Sequence, residues 1–329
     1  MRIFVAGATG AIGKRLVPLL VRAGHSVTGM TRSASKADRL RSAGAEVAIV
    51  DALNSSAVAE AVERARPEVI IHELTAIPPA LDLRKFEEQF SLTNRLRTEG
   101  TDYLLAAARS AGVRRFIAQS YAGWPYARSG GPVKTEDDPL DPNPSAGFRE
   151  TIRALRHLES AVLQAPGMEG IVLRYGGFYG PGNVIGEGGT LVEQIRRRRI
   201  PIIGGGTGIW SFIHIDDAAR ATLAAVDRGR PGVYNIVDDD PAPVSEWMPT
   251  LARILGAKPP LGLPGWVGRL AIGDLGVVMM TQARGASNEK AKRDLSWQPV
   301  WGSWRDGFRD GLSEPAATER KRGSLKLAS

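Results

Sequence analysis

The feature that most constrains this chain is an apolar N-terminal strand that runs directly into three evenly spaced glycines. Residues 2–6 (RIFVA) are short and apolar, as expected of a strand covered on both faces. Gly7, Gly10 and Gly13 follow, beside the start of the amphipathic run 12–21. Glycines at such a junction permit a tight turn, close approach of the backbone to a pyrophosphate, and close packing of a helix whose dipole faces the phosphates. The predicted dinucleotide contacts in this motif are Gly7, Thr9, Gly10, Ala11, Ile12 and Gly13.

Strand-like and helix-like segments continue to alternate along the chain. The predicted strands after the first are residues 25–30, 46–50, 69–72, 113–119, 171–174 and 232–237. This alternation predicts an α/β fold of Rossmann type, in which a doubly wound parallel sheet binds ligands at the carboxyl ends of its strands. A small, mostly helical C-terminal substrate lobe should complete it. We expect a dinucleotide-binding domain over 1–174, completed by about 211–238, a substrate lobe over 175–210 and 239–312, and a disordered tail over 313–329.

Composition excludes several classes of function. The 329 residues include no cysteine and only four histidines, so neither a disulfide framework nor a structural zinc site is expected, and we predict no metal. The net charge of +8 raises the question of nucleic-acid binding. However, the densest basic run, 196–199, ends an amphipathic segment, where cations stabilise a helix C-terminus, so this run is interpreted as a solvated helix end. No signal-peptide pattern or membrane-length apolar run occurs. We expect a cytoplasmic protein that binds a small-molecule substrate, without a nucleic-acid or membrane partner.

The end of the second predicted strand bears on the choice of cofactor. In dinucleotide-binding folds an acid at this position accepts a hydrogen bond from the adenosine ribose, whereas an arginine accommodates a 2′-phosphate. Residues 31–33 contain Arg32 and no acid. The sequence therefore favours NADP(H), with NAD(H) as the alternative, because an arginine on a loop can also be merely solvated.

Four motifs in order give the chain a family resemblance. They are the Gly-x-x-Gly-x-x-Gly turn, the loop 175–182 (YGGFYGPG), the stretch 200–217 (IPIIGGGTGIWSFIHIDD) and the closing segment 287–299. Together they resemble the short-chain dehydrogenase/reductase superfamily, particularly its extended, epimerase/dehydratase-like branch. The resemblance covers about residues 1–312 and implies nicotinamide-dependent chemistry.

The resemblance also implies further cofactor contacts. Asp51 resembles the aspartate beside the adenine, although it can equally be a helix N-cap or a turn residue. Leu74 and Thr75 follow the fourth strand, where family backbones lie along the cofactor. Glu73 departs from the family pattern there. The cofactor contacts implied in this way are Asp51, Ala52, Leu74, Thr75, Tyr175, Gly176 and Phe178.

The substrate side differs from that of sugar-nucleotide enzymes. Family enzymes acting on nucleotide sugars carry an arginine where this chain has Trp210. An indole cannot pair with a diphosphate but can cover an apolar group, although it can also be part of the core. Tyr179 and Trp210 are the predicted substrate contacts. We expect His214 to be a buried histidine at a strand end and Asp216 to cap the following helix.

The family's acid–base pair is missing from the expected helix. Aligning Glu159 with the family glutamate places Thr151 and Leu155 where a tyrosine and a lysine belong, and no tyrosine or lysine occurs between residues 135 and 173. In the family the lysine lowers the pKa of the tyrosine for proton transfer. Ser120 matches the serine that orients a substrate oxygen. The candidate catalytic residues are Ser120, Tyr121 and Tyr126, with Lys134 as a weaker replacement for the lysine.

Three functions are consistent with these observations. We expect an NADP(H)-dependent oxidoreductase that acts on a carbonyl, an alcohol or a related double bond of a mostly apolar small molecule. The first alternative is an NAD(P)-binding regulatory or scaffold protein without turnover. The second is an epimerase or dehydratase with a sugar-like substrate. The apolar run 277–280 fits either an apolar substrate or a homodimer contact.

Overall fold

The computed structural model describes residues 1–314, and the predicted tail therefore lies almost entirely outside the described residues. The α-helices are α1 (Gly13–Arg22), α2 (Ala37–Ser42), α3 (Ser55–Ala65), α4 (Phe86–Arg95), α5 (Thr101–Ser110), α6 (Arg149–Leu163), α7 (Thr190–Arg196), α8 (Ile215–Asp227), α9 (Val244–Ile254), α10 (Gly265–Thr281), α11 (Glu289–Asp294) and α12 (Trp304–Asp310). The strands are β1 (Arg2–Ala6), β2 (Ser26–Thr31), β3 (Glu46–Ile49), β4 (Val69–His72), β5 (Arg115–Tyr121), β6 (Val133–Lys134), β7 (Glu169–Tyr175), β8 (Gly177–Tyr179), β9 (Ile202–Ile203), β10 (Ile209–Trp210), β11 (Phe212–His214), β12 (Gly232–Ile236), β13 (Ala242–Pro243), β14 (Gly262–Leu263) and β15 (Gly285–Ala286).

Seven strands form one parallel sheet in the order β12-β7-β5-β4-β1-β2-β3. Residues 3–6 of β1 and all of β4 are buried, because helices cover both faces of the sheet. Helices α1 and α8 pack on one face, and α3, α5 and α6 pack on the other. This arrangement confirms the predicted doubly wound Rossmann-type fold.

The C-terminal part is mostly helical, as predicted. Helices α9 and α12 enclose an aromatic core that includes Phe212, Trp247, Trp304 and Phe308. The run 277–280 belongs to α10, and three of its four side chains are buried within the protein. A homodimer contact remains a prediction. Within residues 1–314 no helix combines the length and apolar character needed to cross a bilayer.

Two local differences from the sequence expectations affect the site. Strand β5 extends to Tyr121, two residues beyond its predicted end, because Tyr121 pairs with Tyr175 of β7. The sequence pattern over residues 83–111 predicts a helix, but the structure has a π-helical turn, Leu96–Gly100, between α4 and α5. Such turns insert an extra residue into a helix and occur frequently at functional sites.

Candidate functional site

The glycine turn after β1 forms a cradle that side chains could not occupy. Gly7 has φ +91°, and a Cβ there would lie 2.5 Å from the Glu73 carbonyl oxygen. A Cβ on Gly13 would lie 2.5 Å from the backbone of Ala8. The N-cap residue of α1, Ile12, supplies no side-chain acceptor to the helix amides. The turn therefore fits the pyrophosphate of a dinucleotide, which can approach the backbone closely and accept hydrogen bonds from the open helix end.

The end of β2 is polar and positively charged. The hydroxyl of Thr31 lies 3.3 Å from that of Thr9 and accepts a hydrogen bond from the Ser33 amide (3.2 Å). Arg32 is exposed beside them. Burial lowers the pKa of Lys14, and the nearby charges of Arg39, Lys36 and Arg15 lower it further. A lowered pKa of this origin shows that several cations lie close together at this end of the cradle.

Asp51 occupies a turn rather than a helix cap. Its carboxylate accepts a hydrogen bond from the Leu53 amide (3.0 Å), which supports the turn interpretation. The N-cap of α3 is Asn54, whose side chain accepts from the Ala57 amide (3.1 Å), so the N-cap alternative for Asp51 is wrong. Contact of Asp51 or Ala52 with an adenine remains a prediction.

The end of β4 contains two buried titratable side chains. His72 Nε2 lies 3.0 Å from the Thr101 hydroxyl, and Nδ1 accepts from the Leu74 amide (3.2 Å). Burial lowers the pKa of His72 to about 4, so the ring is neutral at neutral pH. Glu73 is 4% exposed, has its Oε1 3.1 Å from the Tyr175 hydroxyl, and leaves its second oxygen without a partner among the described residues. Burial raises the pKa of Glu73 to about 8, so it is largely protonated at neutral pH.

The loop after β7 packs tightly against β11. A Cβ on Gly176 would lie 2.8 Å from the Ser211 carbonyl oxygen, so packing alone requires glycine there. Tyr175 is buried with its hydroxyl bound within the protein, and the Phe178 ring lies 5.5 Å from the Tyr175 ring. The predicted cofactor contacts of Leu74, Thr75, Tyr175, Gly176 and Phe178 remain predictions.

Ser120 belongs to a buried ionic network. Its hydroxyl donates to Glu159 Oε1 (2.6 Å), and Arg174 donates to both carboxylate oxygens (2.8 and 2.6 Å). All three side chains are buried. Because a serine carries only one hydroxyl proton, the proton needed to orient a substrate oxygen is already donated to Glu159.

Tyr126 is held in the same network. Its hydroxyl donates to Asn235 Oδ1 (2.5 Å) and accepts from Arg174 Nη1 (3.0 Å), and the residue is fully buried. Burial raises the pKa of Tyr126 to about 12. The position argues against the predicted role as proton donor, because both hydrogen-bonding functions of the hydroxyl are used within the protein.

Tyr121 ends β5 rather than lying on the following loop. Its ring packs over Gly123 and meets the Trp124 ring edge-on at 5.0 Å between centroids. The hydroxyl forms no hydrogen bond with any of residues 1–314. Burial raises the pKa of Tyr121 far above its ordinary value, which is opposite to the activation expected of a reactive tyrosine.

Helix α6 presents no replacement for the missing pair. Thr151 and Leu155 are buried, and the Thr151 hydroxyl accepts from Asn94 Nδ2 (3.1 Å). Lys134 lies on β6, where its ammonium donates to the Ser129 carbonyl (2.7 Å) and to Asp138 (3.0 Å). Its charge is therefore engaged by its own loop and does not substitute for a lysine on α6.

The two lobes meet at an apolar cluster, which we call the interlobe cluster. Its buried members are Phe86, Phe90, Leu140, Phe148, Ile152, Leu155, Leu275 and Met279, and Leu83, Tyr121, Trp124 and Trp210 pack against them. Trp210 is half-buried, lies between the rings of Trp124 (5.5 Å) and Trp247 (5.0 Å), and donates to the Met279 carbonyl (2.9 Å). The cluster is apolar, rich in aromatic rings and free of charged side chains.

Tyr179 lies elsewhere, within the core of the C-terminal lobe. It is fully buried, with its ring 5.2 Å from His214 and 5.3 Å from Phe308. This position argues against direct contact with a substrate. His214 is the predicted buried strand-end histidine, but it also caps α8 by accepting from the Asp216 amide (3.2 Å), so the expected cap at Asp216 is wrong.

Sequence reasoning missed the charged residues behind the site. Arg174 and Asn235 were not singled out, although a charged or polar residue within an apolar strand pattern is the signal that could have found them. Arg97 was also missed, because its helix pattern is unremarkable before the π-helical turn is known. Within residues 1–314 no group of histidine, aspartate and glutamate side chains is arranged to hold a metal ion.

Comparison with known proteins agrees with this fold. A sequence profile of the NAD dependent epimerase/dehydratase family matches residues 3–237. A 3-diazoavenalumate denitrifying reductase from a Streptomyces species is 44% identical over 309 residues, covering 94% of this chain and 99% of the relative. A 4-hydroxy-2-methyl-3-oxo-4-farnesyl-3,4-dihydroquinoline-1-oxide ketoreductase from Stigmatella aurantiaca is 29% identical, covering 80% of this chain and 75% of the relative.

Solved structures share the fold at lower identity. UDP-glucose 4-epimerase of Thermotoga maritima, with UDP-glucose, superposes with a TM-score of 0.74 at 24% identity, covering 99% of this chain and 100% of that one. The human epimerase family protein SDR39U1, with NADPH, gives a TM-score of 0.72 at 20% identity, covering 95% and 99%. The profile match and the 44% identical relative establish the relationship: this chain belongs to the NAD dependent epimerase/dehydratase family.

Proposed function

We propose that this protein is an NADPH-dependent reductase that replaces the diazo group of an aromatic compound with hydrogen. When bound, the reduced nicotinamide supplies a hydride, whose electron pair forms the new carbon–hydrogen bond while the carbon–nitrogen pair leaves with N2, so that an aryldiazonium ion is reduced without consuming a proton. This substrate differs from the carbonyl or alcohol expected from the sequence. This reaction needs no proton donor, and the described site lacks the tyrosine–lysine pair that supplies one in the family.

The observation that carries the proposal is that buried Thr151 and Leu155 stand where the family's tyrosine–lysine pair is expected, so no activated proton donor occurs at that position. Ser120 donates its only hydroxyl proton to Glu159, and the Tyr126 hydroxyl is bound by Arg174 and Asn235. The Tyr121 hydroxyl makes no hydrogen bond with any of residues 1–314, but burial raises its pKa and so makes it a weaker acid. A ketoreductase needs a proton for the developing alkoxide, whereas loss of N2 needs none. The described residues therefore suit hydride transfer without acid–base assistance.

One reductase among the relatives supports the same class of reaction. The 44% identical relative is named for denitrifying 3-diazoavenalumate, and its match covers nearly all of both chains. A nucleotide sugar is a poorer candidate, because Trp210 stands where the family's diphosphate-binding arginine is expected. The interlobe cluster gives an aromatic substrate a surface against which to stack.

The charge distribution supports NADPH over NADH. Arg32 is exposed at the end of β2, and Lys36 and Arg39 lie near Lys14 on the neighbouring surface. A 2′-phosphate on the adenosine ribose would receive charge-assisted hydrogen bonds from such a group, and the 2′-hydroxyl of NADH would not.

Turnover assays can distinguish the proposal from its alternatives. Purified protein is mixed with NADPH and a benzenediazonium salt, and NADPH absorbance, benzene and N2 are followed, with the rate without protein subtracted. We expect one benzene and one N2 for each NADPH oxidised, and little oxidation with ketones, enones or aldehydes. NADPH oxidation with carbonyl compounds alone would instead identify a carbonyl reductase. Tight NADPH binding without oxidation of NADPH by either the diazonium salt or the carbonyl compounds would favour a regulatory role.

A further inference from the structure

The described chain buries one arginine without a counter-charge. Arg97 is 7% exposed, and its guanidinium makes a single hydrogen bond, a long one of 3.4 Å to Asn94 Oδ1. It forms no ion pair with any of residues 1–314. Burial lowers the pKa of Arg97 to about 10, so the side chain still carries its charge at neutral pH. A buried charge with so few partners is costly to keep.

The two other buried arginines show what a satisfied guanidinium looks like here. Arg174 forms a bidentate pair with Glu159. Arg115 pairs with Glu169 (2.7 Å) and donates to the carbonyls of Ala225 and Arg228 (2.9 and 2.8 Å). Arg97 has neither kind of partner. The Glu159 carboxylate is near enough to favour the charged form of Arg97, but both of its oxygens already accept hydrogen bonds from Arg174.

Arg97 also lies at the predicted reaction site. It is part of the π-helical turn Leu96–Gly100, which alters the spacing of side chains along the helix at this point. Its partner Asn94 bonds to Thr151, which stands in the position of the family tyrosine. The guanidinium carbon is 6.0 Å from the Phe90 ring centroid, and Phe90 belongs to the interlobe cluster.

We propose that Arg97 is the receptor for a carboxylate on the aromatic substrate. A planar carboxylate accepts two parallel hydrogen bonds from a guanidinium, and the aromatic body of the same molecule would pack against the interlobe cluster. The substrate class is therefore narrowed to aromatic carboxylates. This inference rests on the proposed function for the location of the substrate, but not on the identity of the leaving group.

Binding can be measured without turnover. In the presence of NADP⁺, trans-cinnamate and its neutral counterpart cinnamamide are titrated against the wild-type protein by calorimetry. We expect cinnamate to bind about 10- to 100-fold more tightly, in keeping with a charge-assisted bidentate contact, and Arg97→Met to remove the preference. Equal affinities of the wild type for the two ligands, or an unchanged preference in Arg97→Met, would overturn the inference.

The melting temperature distinguishes a ligand-binding role of Arg97 from a structural role. Removing an uncompensated buried charge should raise the melting temperature of the unliganded protein in Arg97→Met, whereas Arg115→Met, the matched control, should lower it. A lower melting temperature or failure to fold in Arg97→Met would show a structural role and refute the inference. NADPH affinity should be unchanged in Arg97→Met. A loss of NADPH affinity would assign the anion to the cofactor and equally refute it.

The outcomes also separate this inference from the proposed function. A preference for cinnamate that depends on Arg97, in a protein that fails to reduce aryldiazonium salts, would support the carboxylate receptor and reject the diazo reaction. The opposite outcome is also defined. If wild type and Arg97→Met both reduce benzenediazonium and its 4-carboxy derivative at the same rate, the diazo reaction is supported and the carboxylate receptor is rejected.

Discussion

The carboxyl of Glu73 should make the stability of the fold fall as pH rises. Thr222 donates to the Ala218 carbonyl (2.8 Å) and lies 2.7 Å from the Tyr175 hydroxyl, which lies 3.1 Å from Glu73 Oε1. These three contacts need three protons, and the two hydroxyls supply only two. A protonated Glu73 supplies the third. The hydrogen-bond geometry and the effect of burial thus both favour the neutral carboxyl.

The pKa of Glu73 sets the size and direction of the effect. Burial raises it from 4.5 to about 8 in the folded protein, so the folded state holds the proton more tightly than the unfolded state. The stabilisation is complete below about pH 4.5 and is lost as pH rises to about 8. The shift corresponds to about 5 kcal/mol over that range.

Urea unfolding of Glu73→Gln across this range measures the effect. Glutamine stays neutral and keeps a donor for Tyr175, so the variant should match the wild type near the lower end of the range and exceed its free energy of unfolding by several kcal/mol near the upper end. The exposed Glu60→Gln serves as the control for removing a surface charge. A difference between Glu73→Gln and wild type that stays constant with pH would refute the reasoning.

Three further predictions concern the cradle and the site. Gly13→Ala places a Cβ 2.5 Å from the Ala8 backbone, so it should cost about 1–3 kcal/mol and reduce the rise in melting temperature caused by NADPH. An unchanged melting temperature and an unchanged rise with NADPH in Gly13→Ala would contradict the proposed role of the glycine turn in cofactor binding. Replacing both Arg32 and Arg39 by Ala should reduce the preference for NADPH over NADH about tenfold or more, whereas Arg41→Ala, whose guanidinium pairs with Asp38, should not. Equal cofactor selectivity in the two variants would count against the 2′-phosphate site. Tyr121→Phe should leave kcat for an aryldiazonium substrate within about threefold of wild type, because that phenol is not required to donate a proton. A fall in kcat of about a hundredfold in Tyr121→Phe would show that the phenol is required as a proton donor.

The parts of the fold that follow from local sequence were predictable. Strand β4 has its predicted bounds, because an apolar run flanked by polar residues fixes a buried strand locally. The glycine turn was predictable because the backbone conformation there excludes side chains. The end of β5 was not, because its last two residues are held by pairing with β7, 54 positions further along the chain.

The polar interior of the site depends on contacts that sequence spacing cannot reveal. Ser120 was singled out from the sequence, but its acceptor, Glu159, lies 39 positions away on α6. Caps differed for a similar reason. Asn54 and His214, rather than Asp51 and Asp216, cap α3 and α8, because their side chains accept hydrogen bonds from free amides in the first turn of each helix.

Hydride transfer from labelled cofactor tests the central claim most directly. NADPH deuterated at the reactive position of the nicotinamide is incubated with the protein and an aryldiazonium carboxylate, and the product is examined by mass spectrometry and NMR. The account predicts one deuterium on the ring carbon that carried the diazo group, one N2 for each NADPH oxidised, and no deuterium at that carbon when unlabelled NADPH is used in D2O. Deuterium acquired from D2O, or a product that retains both nitrogens, would contradict it.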